Sequence, residues 1–320
     1  MRTDRILAVA LIAASLAAAA GAWLAPARSS AAPALGLAGR GVALGPAEVA
    51  VFDVYGEISD GPPDGGFGGQ SGVNSTRFIP LLRKAVRDGV KAIVLRVNSP
   101  GGTAAASAAI YDELMQIRKK HRIPIVASFG DVAASGAYYL SSAANRIVAL
   151  PSTTTGSIGV IAHAMNLQGI MGKIGIRDIA FKSGPHKDIL SPYRPIEPAE
   201  RVIIQHIVDE VYQQFLVAVA TGRSRQLPLA KLRPLADGRI YTGQDALKLG
   251  LVDQLGTFQD AVLDAAHLAG IKGEPTVKDY TRQTLIESIF KAASSWSGGI
   301  HVDLGPRLSH LDEVPLALME

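Results

Sequence analysis

The chain has 320 residues and no cysteine, and this absence excludes several kinds of chemistry. Disulfide bonds, thiolate nucleophiles and zinc sites built on cysteine are all ruled out. A chain without cysteine also tolerates an oxidising compartment. The seven histidines show no spacing typical of a metal site, so we expect no metal and no cofactor.

Charge is also scarce, since only 19% of the residues are charged while 48% are hydrophobic. A chain of this composition can bury a sizeable core, and global disorder is not expected. The formal net charge is +4, and the lysines and arginines are scattered along the chain instead of clustered. Nucleic acid is therefore not an expected partner.

One long stretch near the N-terminus carries no charge at all. Residues 6–27 follow Arg2 and Arg5, and as a helix they would be about 33 Å long, enough to cross a hydrocarbon core. Ala-Pro-Ala at 25–27 is typical of a signal-peptide cleavage site, but the apolar stretch is longer than that of a signal peptide. We predict a single-pass membrane anchor at residues 1–28, with the remainder at the outer side of the cell membrane.

The rest of the sequence divides into three parts. Residues 29–47 are rich in alanine, glycine and proline and are typical of a linker. Residues 48–272 alternate between strand and helix patterns, which predicts an α/β domain. The glycine-rich residues 61–72 within it predict a surface loop or a flap near the substrate. Periodicity weakens afterwards, so residues 273–320 are predicted to be a poorly packed tail.

Apolar and amphipathic patterns place the elements of the domain. The near-continuous apolar run at 90–97 predicts a strand that is covered on both faces of its sheet. Further strands are predicted at 48–55, 123–129 and 146–150, and helices at 75–88 (capped by Ser75 or Thr76), at 103–121, from about residue 133, and at 198–221.

Ser135 occupies a turn that is predicted to begin a helix. This position suits a nucleophile, because the helix dipole favours a developing negative charge and the N–H of Gly136 can act as an oxyanion donor. The small residues around it leave room for a substrate backbone. A serine at this place is equally suited to cap the helix, so the segment alone does not decide between catalysis and capping.

A second glycine turn follows the predicted strand at 90–97. The motif Asn-Ser-Pro-Gly-Gly at 98–102 allows a sharp bend, and the N–H groups of Gly101 and Gly102 could hold an oxyanion. Alone this is a weak signal, because many turns between strands and helices contain glycine.

Several motifs in one order resemble the signal peptide peptidase A family, in its short, single-domain form. The similarity runs from about residue 49 to 270, although residue 137 is alanine where the family often has glycine. The resemblance implies a ClpP/crotonase-type fold of stacked strand–strand–helix units and a membrane-anchored serine protease. The motifs lie at 98–102, 133–139, 155–160, 182–188, 238–243 and 250–253.

The resemblance also implies roles for individual residues. Ser135 would be the nucleophile, Lys187 the general base, and Ser157 the hydroxyl that hydrogen-bonds the lysine. The oxyanion donors would be Gly136 and either Gly101 or, preferably, Gly102. In short family members the serine and lysine of one site come from neighbouring subunits, which implies a homo-oligomer.

Lys187 can act as a base only if its amine is neutral. The reference pKa of lysine is about 10.4, whereas a general base works best near the operating pH. Burial disfavours the charged form, so we expect Lys187 to be buried.

Other residues could serve as the base in place of Lys187. Lys182 follows an apolar strand pattern nearby and is an alternative lysine. His163 could serve in a Ser-His-Asp site of the ClpP type, oriented by Asp178 or by Asp188. His186 could help to keep Lys187 neutral, or it could simply be exposed. His206 is predicted to pack on its helix.

The sequence therefore predicts an endopeptidase that degrades residual signal peptides in the membrane through an acyl-enzyme. The alternatives are a stomatin-associated or ClpP-like serine protease and a membrane scaffold without catalysis. A stomatin-associated protease usually has additional membrane segments, and no such segment is found after residue 27. An acyl-CoA enzyme of the crotonase type would explain neither the lysine motif nor the anchor.

Overall fold

A computed structural model of the chain describes residues 47–60, 72–224 and 226–282. The predicted anchor at 1–28, nearly all of the linker and of the glycine-rich loop, and most of the tail lie outside the described residues. None of the helices in the described ranges has the length and apolar content needed to span a bilayer.

The described residues form an α/β fold built on one sheet. The strands are β1 (Val49–Ser59), β2 (Gly72–Asn74), β3 (Ala92–Gly102), β4 (Ile125–Ala134), β5 (Arg146–Ala149), β6 (Thr154–Gly156), β7 (Ile240–Thr242), β8 (Gln254–Leu255) and β9 (Val277–Asp279). The helices are α1 (Ser75–Arg87), α2 (Ala104–Gln116), α3 (Gly136–Ser141), α4 (Gln168–Lys173), α5 (Pro198–Gly222), α6 (Leu229–Leu232), α7 (Gly243–Lys248) and α8 (Phe258–Leu268). A π-helical turn at Ile117–His121 extends α2, and a 3-10 turn at Arg233–Leu235 follows α6.

The sheet is parallel along its main path, with the order β2-β1-β3-β4-β5-β8. β9 pairs with β1, and β6 pairs with the end of β4. Within the described residues the one antiparallel pair is β6 with β7. This parallel sheet confirms the predicted α/β class, while the stacked strand–strand–helix units stay a prediction.

Both faces of the sheet are buried, as the apolar run at 90–97 predicts. On one face Phe52, Leu95 and Phe129 belong to the large core cluster that includes residues of α1, α2, α3 and α5. On the other face Val94 and Val126 pack with the small residues of α8. A strand with apolar side chains on both faces is stable only where both faces are covered.

Element boundaries differ from the predictions where a partner strand or a cap decides them. β3 continues to Gly102 instead of ending at 97, because Gly101 and Gly102 pair with β1. Helix α1 is capped by Asn74, whose side chain accepts hydrogen bonds from two backbone N–H groups; the predicted Ser75 and Thr76 caps were wrong. Helix α3 begins at Gly136, later than residue 133, because β4 runs to Ala134.

The packed domain extends beyond the predicted boundary at residue 272. β9 adds a strand beside β1, and the ring of Tyr280 stacks on Phe52 with centroids 5.5 Å apart. The Tyr280 hydroxyl donates a hydrogen bond to Asp88. Residues 277–282 therefore belong to the domain, and the weak periodicity after 272 did not show it.

A long excursion leaves the sheet between β6 and β7. We call residues 160–207 the arm. Its apolar side chains are largely exposed in the single chain, with Ile161 73%, Ile179 75% and Phe181 97% exposed. Exposed apolar side chains in this number are unusual for a face that meets only water.

Candidate active site

Three parallel strand ends meet at one edge of the sheet, and the candidate residues lie there. Ser99 of β3 is opposite Ala133 of β4, and Ala134 of β4 is opposite Gly156 of β6. The residues that directly follow β4 and β6 are Ser135 and Ser157. The fold thus brings the predicted nucleophile, the glycine motif and Ser157 together.

Ser135 lies in a strained turn between β4 and α3. Its φ is 53° and its ψ is −122°, a backbone conformation that residues other than glycine rarely adopt. Its N–H donates to the carbonyl of Gly156, and its side chain makes no capping hydrogen bond to α3. The side chain therefore does not cap the helix, and the residue is partly exposed.

Three glycines enclose the turn of Ser135. A Cβ at Gly101 would lie 2.7 Å from the N of Gly136 and 2.9 Å from the Cβ of Ser135. A Cβ at Gly136 would lie 3.1 Å from the N of Gly102. The backbones of residues 101, 102 and 136 are therefore in close contact, as an oxyanion site requires.

The hydrogen bonds favour Gly102 over Gly101 as oxyanion donor. The N–H of Gly101 donates to Ser99 Oγ over 3.1 Å and is thus occupied. Gly136 is the first residue of α3, where a backbone N–H has no partner within its own helix. Gly102 and Gly136 are accordingly the better pair of donors.

Ser157 is held beside Ser135 by the pairing of β6. Its φ is 50°, and its N–H donates to the carbonyl of Arg239. The preceding Gly156 has a φ of +84°, and a Cβ there would lie 2.7 Å from the ring of Tyr241. The glycine at 156 is thus required for this turn, which places Ser157 at the same edge as Ser135.

Buried hydroxyls pack around the site, and sequence reasoning largely missed them. Thr155 Oγ1 donates to the carbonyl of Ala133 over 2.7 Å, two residues before Ser135. Ser107 Oγ lies against Gly136 and donates to the carbonyl of Thr103. Ser99 was visible as part of the 98–102 motif, but Ser107 lies in an ordinary helix pattern.

The two tyrosines that follow Ser135, Tyr138 and Tyr139, anchor α3. Tyr138 is fully buried, its hydroxyl donates to the carbonyl of Leu251, and burial raises its pKa far above the ordinary value. The ring of Tyr139 stacks on Phe215 with centroids 4.7 Å apart and meets Tyr111 edge to face. Burial raises the pKa of Tyr111 to about 12, so these phenols stay neutral.

Lys187 lies in a turn of the arm and is exposed in the single chain. Its N–H donates to the carbonyl of Gly184, and within the described residues its side chain makes no hydrogen bond or ion pair. No hydrogen bond joins it to Ser135 within those ranges. The expected burial of Lys187 is therefore absent from the single chain.

The rival bases are placed less favourably. Lys182 Nζ is occupied by Asp188 and by the carbonyl of Pro185. His163 is exposed on the arm. His206 is also exposed, and the prediction that it packs on its helix was wrong; its Nε2 lies 3.9 Å from Glu210.

A network of charges surrounds the turn that carries Lys187. Arg194 contacts Asp188 and Glu200 with both edges of its guanidinium group, and Lys182 adds a contact to Asp188. The hydrogen bonds from Arg194 hold the pKa of Glu200 down at about 2, and they also lower the pKa of Asp188. Both carboxylates are therefore ionised at neutral pH.

The chain is similar to known peptidases. The profile of Peptidase family S49 matches residues 117–272, which include Ser135, Ser157 and Lys187. The chain is 46% identical over 197 residues to a putative protease of Synechocystis, covering 59% of this chain and 70% of that protein. It is 42% identical over 226 residues to a putative signal peptide peptidase SppA of Enterococcus faecium, covering 70% of this chain and 63% of that protein.

A third relative is much longer. Protease 4 of Salmonella typhi is 38% identical over 250 residues, which cover 75% of this chain but only 39% of that protein. The α/β fold and these matches together define a serine peptidase. Within that class, the chain belongs to Peptidase family S49 and is an SppA-type peptidase.

Proposed function

We propose that the protein is a membrane-anchored endopeptidase that cleaves residual signal peptides with Ser135 as nucleophile and Lys187 as base. The observation that carries the proposal is the strained turn of Ser135, enclosed by Gly101, Gly102 and Gly136. Such a turn exposes a hydroxyl next to backbone donors, which is the arrangement that acyl transfer requires.

The reaction follows from the positions of these groups. Ser135 Oγ attacks the carbonyl carbon of the peptide while its proton passes to Lys187 Nζ. The resulting oxyanion accepts hydrogen bonds from the N–H groups of Gly102 and Gly136. The leaving amine takes the proton from Lys187, and an ester remains on Ser135. Water, deprotonated by Lys187, then hydrolyses this ester and frees the serine.

We propose further that the Ser135 and Lys187 of one site come from different subunits. In the single chain Lys187 is exposed and has no side-chain partner among the described residues. The apolar side chains of the arm, such as Ile179 and Phe181, are also exposed. Packing of this arm against a neighbouring subunit would bury both, and burial would disfavour the charged amine.

Two observations support the membrane and the substrate class. Residues 6–27 have no charge and the length of a bilayer span. The relative in Enterococcus faecium is named as a putative signal peptide peptidase. An anchored enzyme shares a two-dimensional region with peptides left in the bilayer, which favours their encounter.

The dyad and its assembly are tested by mixing two inactive variants. Ser135→Ala and Lys187→Ala, each measured on a synthetic signal peptide in detergent micelles, are expected to have no activity above background. After the two are unfolded and refolded together, random assembly would give about a quarter of the sites an intact serine and an intact lysine. About a quarter of the parent activity should then return.

Lys173→Ala is the matched control, because it removes an exposed lysine from the same arm. It should keep full activity. Activity in either single variant would overturn the Ser135–Lys187 dyad. If both variants are inactive and the mixture stays inactive, the dyad forms within one subunit and the proposal of a shared site is wrong.

A further inference from the structure

Both neighbours of Lys187 lie against one centre of charged side chains, in which Glu200 is buried. Asp188 accepts hydrogen bonds from Arg194 Nε at 2.9 Å and from Arg194 Nη2 at 2.8 Å. His186 Nδ1 lies 3.7 Å from Oε1 of Glu200. Because the residue after Lys187 is held by two hydrogen bonds from Arg194, the backbone of Lys187 is restrained on that side.

Glu200 is the most deeply buried residue of this centre. Its side chain has no exposed surface, although most of the surrounding arm is exposed. It accepts hydrogen bonds from Arg194 Nη1 at 2.8 Å and Nη2 at 2.5 Å, and from the N–H of Glu197 at 3.0 Å. A buried carboxylate is stable only when it is paired and hydrogen-bonded, so Arg194 is needed to keep Glu200 inside.

Arg194 therefore connects the Lys187 turn to the first turn of α5. Its planar guanidinium group contacts two carboxylates at once, which the compact ammonium group of a lysine cannot do in the same geometry. The centre also has balanced charge, since Arg194 and Lys182 face Asp188 and Glu200. It therefore holds the turn without adding net negative charge. Net negative charge would favour the protonated form of a nearby amine.

We propose that Arg194 is a positioning residue for Lys187, and that the Asp188–Arg194–Glu200 centre fixes the direction in which the Lys187 side chain extends from the arm. This inference rests on the proposed role of Lys187. A base that is misplaced by about 1 Å can cost on the order of 100-fold in rate, so the centre would act on the chemical step.

The test compares Arg194→Gln, Arg194→Lys and Glu200→Gln in the full-length protein on the same peptide substrate. We expect Arg194→Gln to lower kcat on the order of 100-fold with little change in KM, because the groups that contact the peptide are intact. Arg194→Lys should recover part of kcat but not all. Arg83→Gln is the matched control, because it removes a similar two-point contact to Glu113 outside the arm; its kcat should equal that of the parent.

The pH profile of kcat separates positioning from general loosening of the arm. Loss of Arg194 leaves two carboxylates opposed by Lys182, so the centre gains net negative charge. This charge favours the protonated form of Lys187 and should raise the apparent pKa of the kcat profile. Glu200→Gln leaves an excess of positive charge and should lower it. A merely structural role would reduce activity in both variants without these opposite shifts.

Melting temperature and subunit assembly, measured by sedimentation, accompany each variant. The proposal is overturned if Arg194→Gln keeps kcat within twofold of the parent, or if its loss of activity only follows a loss of assembly. It is also overturned if both apparent pKa values move in one direction. Inactivity of Lys187→Ala together with full activity of Arg194→Gln would reject this inference alone, whereas activity of Lys187→Ala would reject the dyad itself.

Discussion

Replacing Gly101 with alanine should damage both stability and catalysis, and the two effects can be separated. Gly101 has a φ of +108°, which a residue with a Cβ adopts only at a cost on the order of 1–3 kcal/mol. For a domain of this size, each kcal/mol lowers the melting temperature by about 2–4 °C. A decrease of about 2–12 °C is therefore expected from the backbone alone.

The second effect comes from where the new methyl group would lie. It would be 2.7 Å from the N of Gly136, 2.9 Å from the carbonyl O of Ala134 and 2.9 Å from the Cβ of Ser135. The turn of Ser135 must then move, and the proposed oxyanion donor at Gly136 moves with it. Loss of one such donor lowers kcat on the order of 100- to 1,000-fold, and we expect a decrease of this size in peptide cleavage.

Gly89 provides the matched control. Its φ is +78°, and a Cβ there would meet no atom within 4 Å. Gly89→Ala should therefore lose stability to a similar degree in thermal unfolding while keeping its kcat. The reasoning is refuted if Gly101→Ala keeps kcat within twofold of the parent, or if Gly89→Ala loses activity to the same extent.

Two further predictions concern stability. Tyr280→Ala removes the ring that stacks on Phe52 and should lower the free energy of unfolding, measured in urea, by about 3–5 kcal/mol. Tyr280→Phe removes only the hydrogen bond to Asp88 and should lower it by about 1 kcal/mol. Equal losses in the two variants would contradict the packing of residues 277–282. Asp188 and Glu200 have lowered pKa values, so their contribution is present above the unfolded values near 4 and is lost as the pH falls towards about 2. The melting temperature should fall over that range, and Glu200→Gln should be lower at pH 7 but fall less; an equally steep fall would show that Glu200 contributes nothing.

The sequence predicted the elements whose cause is local. Helix α5 was predicted at 198–221 and is found at Pro198–Gly222, because Pro198 suits the first helical turn and Glu200 completes a capping box. The apolar run at 90–97 predicted a strand buried on both faces, which the two core clusters confirm.

The differences arise where a distant partner decides the structure. The 98–102 motif predicts a turn after the strand, but pairing with β1 extends the strand to Gly102. Tyr280 packs on Phe52, which lies near the opposite end of the domain's sequence, and the periodicity of the sequence cannot show this contact. The convergence of Ser135, Ser157 and the glycines depends on the order of β3, β4 and β6, which the spacing of the motifs does not contain.

The backbone of Ser135 has a consequence for the whole domain. A glycine would adopt its φ of 53° and ψ of −122° without steric strain, so serine is not the residue that gives this turn its lowest energy. In the proposed mechanism the hydroxyl is essential, so stability and function oppose each other at this position, and the packing of the core must offset the strain of the turn.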